Sequence, residues 1–276
     1  MSRRFTQVDV FAATPYLGNA LAVVIDADGL STEEMQRFAR WTNLSETTFL
    51  LPPTSGEADY RVRIFTPDRE LPFAGHPTLG SCHAWLEAGG VPRKEGEVVQ
   101  ECEAGLVPLR VTGDGLAFEA PPLIRSGPVD EELLGRVAGA LGIERADIVA
   151  AEWAANGPHW IGVLLADAEQ VLALRPGTVP EDIGVVGPHP EGSECAFEVR
   201  AFFPQNGATV EDPVTGSLNA ALAQWLLRTG RASAPYVASQ GTVIGRRGRV
   251  HVSTDAEGRI WVGGAVTTCV TGTLNR

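Results

Sequence analysis

A chain of 276 residues, 44% hydrophobic and 20% charged, is long for one domain and comfortable for two, and core size sets no limit on it. Its formal net charge of −12 argues against nucleic acid or an anionic membrane as partner, since counterion release needs clustered Lys and Arg. No apolar run is long enough to cross a bilayer and the start Met1 to Arg4 lacks a signal-peptide layout, so a soluble cytoplasmic protein with no membrane association is expected.

In chain order, Phe5 to Val10 alternates like a strand, and Leu21 to Ile25 is an apolar run of strand length after the turn at Gly18 and Asn19. Ser31 with Glu34 makes a capping box, and Met35, Phe38 and Ala39 supply one apolar face, so a helix is predicted from Thr32 to Trp41. Glu46 then opens a strand to Leu51, which sets a carboxylate at a helix-to-strand junction. Strands are predicted at Tyr60 to Phe65, Glu97 to Glu101, Leu106 to Val111 and Gly115 to Glu119. The proline-rich stretch Ala120 to Pro128 reads as a link, giving halves 1–122 and 123–276, with the last strand free to pack back on the first half. The second half is expected to contain a helix from Asp130 to Leu141 stopped by Gly142, a strand at Trp160 to Leu165, a short helix at Ala168 to Leu174 and a strand from Cys195 to Phe203. Its tail reads as strands near Tyr236 to Ala238, Val243 to Gly245, Val250 to Ser253, Ile260 to Val262 and Ala265 to Thr271.

One design occurs in both halves. Leu71 to Gly80 carries a turn of Gly75, His76 and Pro77 leading into an apolar helix with Trp85, closed by Gly89 and Gly90. Glu211 to Ser217 is a turn with acids and hydroxyls leading into an apolar helix with Trp225, closed by Gly230. Each helix is expected to end on a left-handed glycine and to start with unpaired N–H groups that suit a carboxylate or oxyanion. Many strands and few helices per half predict a curled antiparallel or mixed sheet around one helix, an α+β fold.

The only lysine, Lys94, lies in a polar loop, which leaves pyridoxal phosphate without a Schiff-base carrier. Cys82, Cys102, Cys195 and Cys269 are widely spread without C-x-x-C spacing, as expected of reduced thiols. His83, His159, His189 and His251 show no metal-ligand spacing, and no metal or cofactor is expected. The sequon at Asn43 to Ser45 carries no glycan in a cytoplasmic chain.

Four ordered segments, Gly18 to Val24, Asn43 to Thr47, Leu71 to Thr78 and Glu211 to Ser217, resemble the PhzF family of phenazine-biosynthesis-type isomerases, and Gln240 to Arg246 is similar as well. The resemblance implies a diaminopimelate-epimerase-like fold: two pseudo-symmetric halves, each a mixed or antiparallel sheet rolled round a central helix, with an active site in the cleft between them. It places the family's acid/base glutamate on Glu46, its histidine on His76 and its second-half aspartate on Asp212. It places the substrate-holding positions on Ser45, Gly75, Gly216 and Ser217. Ala20 stands where many relatives have Pro after Gly-Asn, a departure that bears on a role for Asn19 only. In the related diaminopimelate epimerases two thiols sit at the helix mouths; here Cys82 falls inside the helix, which disfavours two-thiol racemisation.

These residues carry chemistry in a specific way. A carboxylate in a partly dry cleft has its pKa raised and can take and return a proton, the role expected of Glu46. His76 can share the proton or hold substrate, or satisfy backbone groups at a helix start. Asp212 can orient His76, hold a substrate amine, or fix its loop as an Asx-turn, and Thr215 or Ser217 can act as plain N-caps. The expected function is a cofactor-independent isomerase moving a proton within a small unsaturated amino- or hydroxy-carboxylic acid. An amino-acid epimerase or racemase and a non-catalytic metabolite-binding protein are the alternatives. The family resemblance also implies a homodimer.

Overall fold

Ser31 and Glu34 start the first helix as their spacing requires: the Ser31 hydroxyl accepts from the Glu34 N–H while the Glu34 carboxylate accepts from the Ser31 N–H. A computed structural model describes residues 2–275, and the chain divides into two compact units, one running to Glu119 and resuming at Gly263, the other spanning Ala120–Val262.

The first unit runs β1 (Arg3–Val10), β2 (Asn19–Val24), α1 (Thr32–Thr42), β3 (Glu46–Leu51), β4 (Tyr60–Phe65), β5 (Glu70–Leu71), α2 (Gly75–Glu87), β6 (Glu97–Cys102), β7 (Gly105–Thr112) and β8 (Gly115–Glu119). The second runs β9 (Arg125–Pro128), α3 (Glu131–Leu141), β10 (Ala150–Ala155), β11 (Ile161–Leu164), α4 (Ala168–Ala173), β12 (Ile183–Pro188), β13 (Phe197–Gln205), β14 (Ala208–Asp212), α5 (Gly216–Arg228), β15 (Tyr236–Gln240) and β16 (Gly248–Thr254). The chain returns to the first unit within β17 (Ile260–Gly264) and ends in β18 (Val266–Leu274), which pairs antiparallel with β1.

The two units repeat one topology. In the first, β1 and β2 are antiparallel, β2 and β3 parallel with α1 between them, β3 and β4 antiparallel, and β4 pairs antiparallel with β5 and parallel with β6. In the second, β10 to β15 repeat these relations strand for strand, with α4 between β11 and β12. The parallel ladder opens at Leu21 opposite Glu46 in one unit and at Ile161 opposite Ile183 in the other, so one repeat alone has an acid there.

Each long central helix lies against strands of its own unit. Helix α2 packs on β1, β2, β3, β4, β6, β8 and β18, and its Leu79 is fully buried, a burial worth about 2 kcal/mol. A Cβ on Gly80 would meet Leu21 at 2.6 Å, so glycine lets helix and sheet approach. In the second unit Leu218 of α5 occupies the space a Gly184 side chain would need, at 2.1 Å. Met35 of α1 clusters with Val24, Phe49 and Phe65, and Val137 and Leu141 of α3 and Val171 of α4 cluster with Ile183 and Phe202. Both central helices end alike: Gly89 and Gly230 have φ of 95° and 68°, and the N–H groups of Gly90 and Arg231 reach back to the carbonyls of Trp85 and Leu226 at 2.9 and 2.8 Å.

Several elements depart from expectation. Gly75, His76 and Pro77 form the first turn of α2 rather than a loop before it, because proline needs no N–H donor in a first turn. Val243 belongs to a 3₁₀ turn at Thr242–Ile244, since Gly241 and Gly245 are both left-handed and interrupt any strand. Arg125–Pro128, read as link, forms β9 and pairs with β10. Strands β10, β12 and β14 carry no clear strand pattern in the sequence: β10 is rich in alanine, and β12 is broken by glycines.

Candidate active site

Helix α1 stops where Asn43 turns left-handed at φ 55°, its N–H bonded to the Ala39 carbonyl. Three residues later Glu46 opens β3, held by the parallel ladder, with its side chain 17% exposed. Ser45, just before it, is exposed. The His76 imidazole, in the first turn of α2 beside the buried Gly75, brings Nε2 to 3.4 Å from Glu46 Oε2. Burial drives the His76 pKa down to about 3, so the ring is neutral at ordinary pH and the contact joins a carboxyl group to a neutral ring. Asn19 Nδ2, from the start of β2, donates to His76 Nδ1 at 3.4 Å. Ala20 departs from the family pattern beside it, yet the structure brings Asn19 to the histidine; its place beside Gly18 in the first of the four motifs is the signal that points to it.

The second unit carries its own cluster. Asp212 ends β14, and its Oδ2 accepts from the Thr215 hydroxyl at 2.5 Å. This contact has the character of the loop-fixing alternative for Asp212. Gln240 ties the turn together: its Oε1 accepts from the Thr215 N–H and from Asn219 Nδ2, and its Nε2 donates to the Thr215 hydroxyl and the Asp212 carbonyl. Gln100 does similar work in the first unit, accepting from the Tyr60 hydroxyl and donating to Thr78 of α2. Gly216 is the buried first residue of α5, and the Ser217 hydroxyl accepts from Trp160 Nε1 at 3.2 Å. Asn156 donates to the Ser217 carbonyl at 2.9 Å. Neither Thr215 nor Ser217 caps the helix through its side chain, a correction to the N-cap expectation. Helix α2 likewise starts without a side-chain cap. Each mouth therefore presents first-turn N–H groups and the positive end of a helix dipole.

Glu211, beside Asp212, serves the interior of the second unit instead. It forms a bidentate pair with Arg200, buried against the carbonyls of Val171 and Leu174.

The thiols are poor acid/base groups. All four are unpaired cysteines, and burial pushes the Cys82 pKa up to about 12 and raises that of Cys269. Lys94 is a surface residue paired with Glu97. Among the described residues, no three His, Cys, Asp or Glu side chains gather as a metal would require. A cavity of about 580 Å³ in the first unit, lined by Arg3, Asp26, Tyr60 and Trp85, adjoins the C-terminal end of α2, roughly 13 Å along the helix from His76.

The comparisons with known proteins agree over nearly the whole chain. The family model described as phenazine biosynthesis-like protein matches residues 8–272. Antisense-enhancing sequence 1 of Schizosaccharomyces pombe is 37% identical, with 97% of each chain covered. The trans-2,3-dihydro-3-hydroxyanthranilate isomerase of Pseudomonas aeruginosa is 34% identical over 92% of this chain and 91% of its own. Among solved structures, a predicted epimerase from Pseudomonas aeruginosa superposes with a TM-score of 0.80 at 28% identity over 99% of both chains. A hydroxyproline epimerase from Agrobacterium vitis, at 15% identity and TM-score 0.60 over 99% of this chain and 92% of its own, shares the fold.

Proposed function

The chain belongs to the phenazine biosynthesis-like protein family, and from that footing we propose that it is a cofactor-independent isomerase that moves a proton within a small unsaturated amino- or hydroxy-carboxylic acid, with Glu46 as acid and base. The observation that carries this reading is the Glu46 carboxylate, largely buried and 3.4 Å from a neutral imidazole. Glu46 takes a proton from one carbon, the electron pair of that C–H bond shifts the neighbouring double bond along the substrate, and the same carboxyl group returns the proton at the far carbon. Atoms and charge balance without a further reactant. His76 steadies the carboxylate, and Asp212 holds the polar substituent of the substrate. Ser45, Gly75, Gly216 and Ser217 are substrate-binding positions in this reading, through hydroxyls and first-turn N–H groups.

Relatives at 34, 35 and 34% identity carry the name trans-2,3-dihydro-3-hydroxyanthranilate isomerase, which makes that compound the first substrate to try. Incubated with it in D₂O, the protein is expected to place solvent deuterium in the product, and Glu46→Gln to keep its fold while losing this exchange. Full exchange by Glu46→Gln would remove the glutamate from the chemistry. Epimerisation at one carbon by two thiols has no support here, since Cys82 is buried with its pKa raised.

A further inference from the structure

We propose that Asn19 is a positioning residue that holds His76 in its Nε2–H tautomer, so that the ring accepts from Asn19 and donates toward Glu46. Asn19 is itself firmly placed. Its backbone faces Val10 in the β1–β2 ladder, and the preceding Gly18 donates its N–H to the buried Asp9 carboxylate at 2.8 Å. A Cβ on Gly18 would stand 2.2 Å from the Val10 carbonyl oxygen, so the backbone there approaches as only glycine allows. Asn19 is 2% exposed, and its side chain has no room to wander.

The two neighbours of the ring select the same tautomer. An amide nitrogen only donates, so His76 Nδ1, 3.4 Å from Asn19 Nδ2, must present its lone pair. On the opposite side Nε2 stands 3.4 Å from a Glu46 carboxylate oxygen, and the ionised carboxylate, an acceptor only, favours an N–H there. The reverse tautomer would set donor against donor at Asn19 and acceptor against the ionised carboxylate at Glu46, around a ring that is only 6% exposed. The doubly protonated ring is opposed by burial, which keeps His76 neutral down to about pH 3. His76 then turns an N–H toward the carboxyl group rather than carrying the migrating proton. That catalytic meaning rests on the proposed role of Glu46; the tautomer does not.

The test is a long-range ¹H–¹⁵N correlation spectrum of the imidazoles in the full-length, ¹⁵N-labelled protein, with the His76 signals identified by their loss in His76→Gln. The expected result is a single neutral form with the proton on Nε2 and none on Nδ1, unchanged between about pH 5 and 8. In Asn19→Leu, which removes the donor at similar volume, the Nδ1 signal should move toward a mixture of tautomers. In Asn19→Asp the new acceptor should pull the proton onto Nδ1. A wild-type ring protonated on Nδ1 overturns the proposal, as does an Asn19→Leu spectrum identical to wild type. Should Asn19→Leu not fold, Asn19→Asp and the wild-type spectrum still decide. Turnover by Glu46→Gln would end the catalytic reading and leave the tautomer standing, so the two failures are separable.

Discussion

Arg200 and Glu211 meet through two hydrogen bonds of 2.9 and 2.7 Å, with the arginine side chain only 3% exposed, while the adjacent Asp212 accepts from Thr215 at the mouth of α5. Alternation along β14 sends neighbouring acids to different surroundings, one into a buried pair and the other toward the helix start.

The two acids should therefore fail differently. Glu211→Ala strands a buried guanidinium and is expected to cost about 3–5 kcal/mol of stability. Asp212→Asn keeps an acceptor for Thr215 and is expected to cost roughly 1 kcal/mol, yet to abolish most isomerase turnover. Urea denaturation and product formation, measured on both variants, check this; an active Asp212→Asn would return that residue to a purely structural role.

His76 gives stability a definite pH dependence. Its pKa is about 3 in the folded chain against an ordinary 6.5, so between those values the unfolded chain takes up a proton that the folded chain refuses. The group's contribution is whole above about pH 6.5 and is lost as pH falls toward about 3, at up to about 1.4 kcal/mol per pH unit. Urea midpoints at about pH 4.5, 5.5 and 7 should fall less steeply with acid in His76→Gln than in wild type. Parallel curves would show that the ring titrates normally.

Gln240 holds the α5 mouth by satisfying Thr215, Asn219 and the Asp212 carbonyl together. Gln240→Leu removes the acceptor of the buried Thr215 N–H while the Thr215 hydroxyl keeps Asp212 and Asn219 keeps the Thr215 carbonyl, and a loss of about 1–3 kcal/mol is expected, with a lower thermal midpoint by calorimetry. A midpoint equal to wild type would mean that the turn holds its shape without the amide.

Signals that act within one helical turn are readable in order along the chain. Ser31 and Glu34 form their capping box, Asp130 and Gly142 bound α3, and Gly89 and Gly230 close the two central helices, because each needs only neighbours a few residues away. The doubled turn and helix point to a repeated unit, and the strand pairings of β1 to β6 recur in β10 to β15. Partner choice over long distances is not readable. Asn19 finds His76 across 57 positions because β2 and the start of α2 are packed in one unit, and the Thr215 hydroxyl donates to Asp212 and accepts from Gln240 Nε2 rather than capping its own helix. Residue spacing encodes hydrogen bonds that close within a turn; which distant donor reaches a buried acceptor depends on ladder register and on which groups burial has already satisfied.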